Sequence, residues 1–216
     1  MGKDTNHKKL FSAENLTCIR GARTLFSGLS ISLAGSEGLL LRGPNGSGKT
    51  SLLRILAGFL PPQEGSFTWD GETSARARDL VVGRTHYLGH TYGLKPYLTV
   101  RENLTIWGSL FGGTEGFEKA ARRTGIEGLL EFPVKFLSEG QKKRVNLARF
   151  LVTSLPLWLM DEPASGLDRE GVQILGALIE DHLKEGGIVI AATHQDLGLK
   201  GIKTLTLGGG KGRFTH

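Results

Sequence analysis

Apolar residues recur along this chain in two rhythms. In most of the chain they gather in short runs bounded by glycine and polar turns. Between about 94 and 152 they return every three or four positions instead. Runs at 16–19 and 29–33, parted by a turn at Gly21, predict antiparallel strands. A third strand is predicted at 65–69, ending at the Asp70-Gly71 turn. Further strands are predicted at 37–41, 85–88, 155–160 and 188–192, the last apolar throughout and so buried on both faces. Leu205-Thr206-Leu207 suggests a final strand. Helices are predicted at 49–57, with Leu52, Leu53 and Leu56 inward, and at 170–184, with Val172, Leu175, Leu178, Ile179 and Leu183 on one side.

The helical stretch has its own punctuation. Thr99-Val100-Arg101-Glu102 is a capping-box sequence ahead of Leu104, Trp107 and Leu110, and Gly112-Gly113 should end that helix. Short helices follow at 117–124 and 126–130, Pro133 stops the run, and a longer helix covers 141–152. The fold class is therefore α/β: one domain over 10–207, with an antiparallel β subdomain and an inserted helical lobe at about 94–152. Residues 1–9 read as a flexible tail, and the glycine-rich basic stretch 208–216 as a second tail that frays.

Composition adds a few bounds. A chain of 216 residues with 39% hydrophobic content can bury a sizeable core. The net charge of +6 suits an anionic ligand, an anionic membrane surface or nucleic acid, but decides among none of them. The aromatic-basic interleaving of single-strand binders is absent. Cys18 is the only cysteine, so no internal disulfide forms. No apolar run of about 18 residues exists to span a bilayer, and the first nine residues lack a signal-peptide core.

The sharpest chemical signal is Gly43-Pro44-Asn45-Gly46-Ser47-Gly48-Lys49-Thr50, which fits the phosphate-loop pattern at every fixed position. It lies between a predicted strand and a predicted helix, the context such a loop needs. Its glycines allow the backbone to turn its N–H groups inward toward an anion. Lys49 would reach the β- and γ-phosphates and the Thr50 hydroxyl would bind Mg²⁺. The second signal is Asp161-Glu162 at the end of an apolar strand. There Asp161 suits the same metal and Glu162 an attacking water.

The third signal is Leu137-Ser138-Glu139-Gly140-Gln141 at the start of a helix. It resembles the Leu-Ser-Gly-Gly-Gln signature of the ABC (ATP-binding cassette) ATPases. The order of phosphate loop, signature, Asp161-Glu162 and His194 is also theirs, and the resemblance covers about residues 10–207. It implies a phosphate-loop NTPase core that hydrolyses ATP with Mg²⁺. It also implies a head-to-tail homodimer in which Ser138, Gly140 and Gln141 of one copy complete the ATP site of the other. Glu139 replaces a glycine, and its charge is expected to point away from the phosphates. Lys142, Lys143 and Arg144 occupy the first turns of that helix, either as a solvated face or opposite a phosphate. Ser165-Gly166-Leu167-Asp168 matches the family's D-loop, and Asp168 also suits a helix cap.

By the same resemblance the nucleotide contacts are Gly43, Pro44, Asn45, Gly46, Ser47, Gly48, Lys49, Thr50 and Ser51. Glu162, His194 and Lys49 are the catalytic set. The glutamine usual after strand 85–88 is replaced by His90, read as a catalytic and metal-contacting substitute. The adenine-stacking aromatic is missing. Arg20 stands in its place, as a stacking guanidinium or an exposed hairpin residue, with Phe26 as the fallback.

Three stretches narrow the resemblance: Tyr87-Leu88-Gly89-His90-Thr91-Tyr92-Gly93-Leu94-Lys95, Pro156-Leu157-Trp158-Leu159-Met160-Asp161-Glu162-Pro163 and Ala191-Ala192-Thr193-His194-Gln195. They are similar to the CcmA-type family, the ATP-binding subunits of the haem-exporting cytochrome c maturation system. That implies multi-pass membrane partners touched by the region from His90 to Trp107, and a peripheral place on the cytoplasmic face of the bacterial inner membrane. There ATP would drive haem handling and release of the haem-loaded chaperone. No Cys-x-x-Cys-His occurs and the six histidines lack paired ligand spacing, so haem binding by this chain itself is not expected. An ABC ATPase for another exported substrate stays open. A soluble ABC ATPase acting on nucleic acid or ribosomes would want a second cassette or an insertion, neither of which this chain shows.

Overall fold

The computed structural model describes residues 10–89, 93–111, 116–209 and 211–215. Among them, strands β1 (Leu10–Arg20) and β2 (Arg23–Ala34) form a long hairpin through Gly21. β4 (Glu64–Trp69) pairs antiparallel with β1, and β5 (Glu72–Ser74) with β4, giving a sheet of order β2-β1-β4-β5. Asp70 and Gly71 both have positive φ, as the tight turn between β4 and β5 requires.

The second sheet, with β10 (Lys211–Thr215) at one edge, runs β10-β9-β3-β8-β7-β6. Its strands β3 (Gly38–Arg42), β6 (Thr85–Leu88), β7 (Leu157–Asp161), β8 (Ile188–Ala192) and β9 (Lys203–Gly208) are parallel. The two-residue alternation of a strand decides what each face meets. Leu157 and Leu159 of β7, with Ile188 and Ile190 of β8, face α1 (Lys49–Leu56) and the antiparallel sheet. Trp158, Met160, Val189 and Ala191 face α5 (Glu139–Val152) and α6 (Arg169–Lys184). Both faces are covered, so these strands read as continuous apolar runs.

The helical lobe has a separate small core. Val100 and Leu104 of α3 (Val100–Phe111) meet Ala120 and Ala121 of α4 (Phe117–Arg123) and Val145 and Ala148 of α5. The expected capping box opens α3: Glu102 N–H donates to Thr99 Oγ1 at 3.1 Å, and Thr99 N–H donates to Glu102 Oε2 at 2.7 Å. The stretch expected as a helix at 126–130 is only a 3₁₀ turn, Glu127–Leu129. Gly112 and Gly113 lie outside the described residues, as do residues 1–9.

One expectation is overturned. Where a tail was expected beyond Gly208, residues Lys211–Thr215 form a strand, β10, that pairs antiparallel with β9 at the sheet edge. Gly212 lets the strand lie close to the leucines beneath it: a Cβ there would sit 2.6 Å from Leu29 Cδ1 and 3.0 Å from Leu205 Cδ1. A short helix, α2 (Ala77–Val81), was not foreseen; it packs Ala77, Leu80 and Val81 into the core beside the antiparallel sheet.

Candidate active site

The carboxyl ends of β3, β7 and β8 lead into the phosphate loop, Asp161-Glu162 and His194. β3 ends at Arg42, the loop turns through Gly43, Gly46 and Gly48, all at positive φ, and α1 begins at Lys49. Glycine is obligatory at Gly43, with φ 133° and a Cβ position only 2.2 Å from the Leu207 carbonyl oxygen. α1 has no side-chain cap and no acidic residue in its first turn. Its opening N–H groups and its positive dipole end are thus left to an anion. Lys49 is buried, and its ammonium donates to the carbonyls of Gly43 at 2.7 Å and Pro44 at 3.1 Å, across the mouth of the loop. Ser47 Oγ is buried in the same loop with no hydrogen-bond partner among the described residues. A cradle of glycines, a lysine and an unpaired hydroxyl fits a phosphate group.

Opposite the loop, Asp161 closes β7, 3% exposed, in register with Ala192 of β8. Glu162 N–H donates to the Ala192 carbonyl at 2.8 Å, which ties the two strand ends together. Glu162 itself has φ 48°, a left-handed conformation costing a non-glycine residue about 1 kcal/mol. That turn leaves its Oε1 3.6 Å from His194 Nε2. A carboxylate and an imidazole therefore face the same edge as the phosphate loop. Thr50 and Asp161 supply hard oxygen donors suited to Mg²⁺. No cluster of three or more His, Cys, Asp or Glu that could cage a metal exists among the described residues.

Sequence reasoning missed Arg42. Its guanidinium donates to the carbonyls of Thr193 at 2.7 Å and Gln195 at 3.3 Å, bracketing His194. The only signal was a basic residue ending an apolar strand.

Arg20 is exposed at the hairpin end, and Phe26 is wholly buried beneath Gly48, so its ring has no face to offer adenine. Burial under the loop removes the fallback. Arg23, across the hairpin from Arg20, lies nearer: it lines a cavity of about 380 Å³ with Pro44 and Ser47. His90 lies outside the described residues.

The signature segment forms the N-terminus of α5. Ser138 Oγ accepts from the Gln141 N–H at 3.2 Å, and Gln141 Oε1 accepts from the Ser138 N–H at 2.9 Å. This capping box still leaves the Ser138 hydroxyl proton available to donate. Glu139 turns to the surface and pairs with Lys142 at 2.7 Å. Among the described residues, no hydrogen bond or ion pair joins Ser138, Gly140 or Gln141 to the phosphate loop of the same chain. Asp168 caps α6, accepting from the Gly171 N–H at 2.8 Å. That bond and Arg144 beside it hold its carboxyl below the usual carboxylate range.

Residues 26–165 match the ABC transporter family. The chain is 45% identical over 202 residues to the cytochrome c biogenesis ATP-binding export protein CcmA of Paramagnetospirillum magneticum, covering 91% of this chain and 93% of that one. It is 45% identical over 199 residues to the protein of the same name from Rhodospirillum rubrum, covering 92% and 85%. Among solved structures it resembles an ABC transporter ATP-binding cassette in its ADP conformation, with TM-score 0.79, 24% identity and 95% and 89% of the two chains covered. A nucleotide-free ABC transporter cassette matches with TM-score 0.81, 24% identity and 96% and 91% coverage. At such identity these two speak to the fold alone.

Proposed function

Because the chain belongs to the ABC transporter family and, within it, to the CcmA-type ATP-binding subunits, we propose that its ATP hydrolysis drives haem export and handling in cytochrome c maturation. The observation that carries this reading is 45% identity, over nine-tenths of the chain, to proteins named for cytochrome c biogenesis. The working unit is a homodimer on multi-pass membrane subunits, at the cytoplasmic face of the bacterial inner membrane. No helix among the described residues is long and apolar enough to cross a membrane. The region through Trp107 meets them, and the chain itself binds neither haem nor nucleic acid.

Each reaction is an in-line attack of water on the γ-phosphate. The phosphate-loop N–H groups and Lys49 hold the triphosphate and neutralise charge on it. Lys49 reaches the phosphates by leaving the Gly43 and Pro44 carbonyls, a short side-chain swing. Glu162 accepts a hydrogen bond from the attacking water and takes its proton as the bond to phosphorus forms. His194, beside Glu162, contacts the γ-phosphate. The bond to the β-phosphate bridging oxygen breaks, and ADP keeps that electron pair. Thr50 and Asp161 would hold Mg²⁺, which when bound offsets charge on the β- and γ-phosphate oxygens. Ser138, Gly140 and Gln141 close the site from the second copy, with the positive dipole end of α5 facing the γ-phosphate. This is supported by the lack of any link between the signature and its own loop, and by the Ser138 proton left to donate.

Deletion of the gene in its own bacterium tests the reading through covalent c-type haem, measured by difference spectra of membranes. The expected result is loss of c-type cytochromes with b-type retained, restored by the wild-type gene and not by Lys49→Ala. Unchanged c-type cytochromes on deletion would move the proposal to another exported substrate.

A further inference from the structure

We infer that Lys143 is a positioning residue for hydrolysis: it holds Glu162 in its left-handed turn and ties that residue to the signature helix of the same chain. The inference rests on Glu162 being the residue that takes the water's proton.

The stripe Gly140, Lys143, Arg144 and Leu147 lies on one face of α5, spaced i, i+3, i+4 and i+7. That face does not look into solvent. It grips the segment that follows β7. A Cβ on Gly140 would sit 3.1 Å from the Gly166 carbonyl oxygen, so glycine allows the helix to lie close. Arg144 donates to Asp168 at 2.7 Å and to Glu170 at 3.1 Å. Leu147 packs into the same core as Ala164, with Leu167 against it.

Lys143 is at the centre of this grip. It is 5% exposed, and its ammonium donates to the carbonyl of Glu162 at 2.7 Å and of Ser165 at 2.9 Å. The Glu162 carbonyl also accepts from Ser165 N–H at 3.2 Å. The peptide after Glu162 is thus fixed on one side by the turn and on the other by a charged donor, which makes a strong bond. Burial lowers the Lys143 pKa, while the charges of Glu162 and Asp161 work to raise it. A left-handed non-glycine residue persists only where its surroundings over-determine it. Lys143 supplies that restraint from the helix whose N-terminus serves the other ATP site. A shift of the signature helix against one nucleotide therefore moves the carboxylate that acts on the other.

The test is a double-mutant cycle on the full chain, in the membrane complex if the chain requires it. Single-turnover ATP hydrolysis, ATP affinity and melting are measured for wild type, Lys143→Met, Lys143→Arg, Glu162→Gln and the Lys143→Met/Glu162→Gln pair. The expected result is a fall of about tenfold or more in hydrolysis for Lys143→Met, with ATP affinity within about threefold of wild type. Lys143→Arg, which keeps a donor, recovers part of the rate. In the Glu162→Gln background, Lys143→Met costs nothing further, because its effect passes through Glu162. Wild-type hydrolysis by Lys143→Met overturns the inference, and so does an equal fractional loss in both backgrounds, the mark of a general structural role. If Lys143→Met does not fold, Lys143→Gln takes its place in the same cycle. Near-normal hydrolysis by Glu162→Gln alone would instead remove the reading of Glu162, whatever Lys143 does.

Discussion

His194 Nε2 lies 3.6 Å from Glu162 Oε1, although 32 positions of chain separate them. The in-register pairing of Asp161 with Ala192 produces this meeting, because Glu162 follows its strand end by one position and His194 by two. If His194 holds the γ-phosphate, His194→Ala should lower kcat by about 100-fold while ATP affinity changes little. Phosphate-release kinetics and calorimetry check the two halves. Unaltered kcat would remove His194 from the mechanism.

Arg42 extends that relationship. Its two bonds to the carbonyls on either side of His194 tie the histidine's loop to the strand that feeds the phosphate loop. Arg42→Ala removes charge-assisted bonds and should cost about 1 to 3 kcal/mol of stability. It should also speed hydrogen exchange at residues 193–197 and depress kcat in the same direction as His194→Ala. Arg42→Lys should retain part of each. Exchange at wild-type rates in Arg42→Ala would mean the loop is held by other contacts.

Gly43 offers a steric prediction. Gly43→Ala would set a methyl group 2.2 Å from the Leu207 carbonyl oxygen and 2.9 Å from Ser47 Oγ, at φ 133°. The loop must shift, so we expect about tenfold or greater loss of ATP affinity and about 2 kcal/mol or more of stability. Gly128→Ala, with nothing within 4 Å, serves as the neutral control. Calorimetry and thermal melts compare the two.

His86 makes stability depend on pH. It is 2% exposed, stacked on Phe150 at 4.4 Å and hydrogen-bonded to the Thr153 hydroxyl. Burial, with the Arg149 charge adding to it, pushes its pKa down to about 3. The unfolded chain takes up this proton near pH 6.5, the folded chain only near 3. Stability is therefore complete above about pH 6.5 and is lost as pH falls toward 3, by up to about 1.4 kcal/mol per unit. Urea melts at pH 7 and pH 5 should differ by about 2 kcal/mol from this group alone. His86→Gln should remove that part of the slope, and an unchanged slope would show that other groups carry it.

Much of this was legible because it is local. Gly43 to Thr50 specify their own backbone, and the uninterrupted apolar run of β8 announces a strand covered on both sides. The tail after Gly208 was misjudged because Phe214 is the only large apolar residue in Lys211–Thr215. What makes it a strand is the edge of β9, a partner the local pattern cannot reveal. Lys143 shows the same limit at the site. As a sequence position it is one of three cations at a helix start. Only packing shows that it faces neither solvent nor phosphate but two carbonyls of the loop carrying Glu162.

Glu162 is expected to drive hydrolysis in a site closed by a second copy. The most direct measurement follows Glu162→Gln with Mg²⁺ and ATP, recording phosphate release and molecular mass in the same sample. The expected outcome is a stable dimer holding uncleaved ATP, with phosphate release at least about 100-fold below wild type. Hydrolysis at a near-normal rate, or slow hydrolysis by a species that stays monomeric with ATP bound, would contradict it.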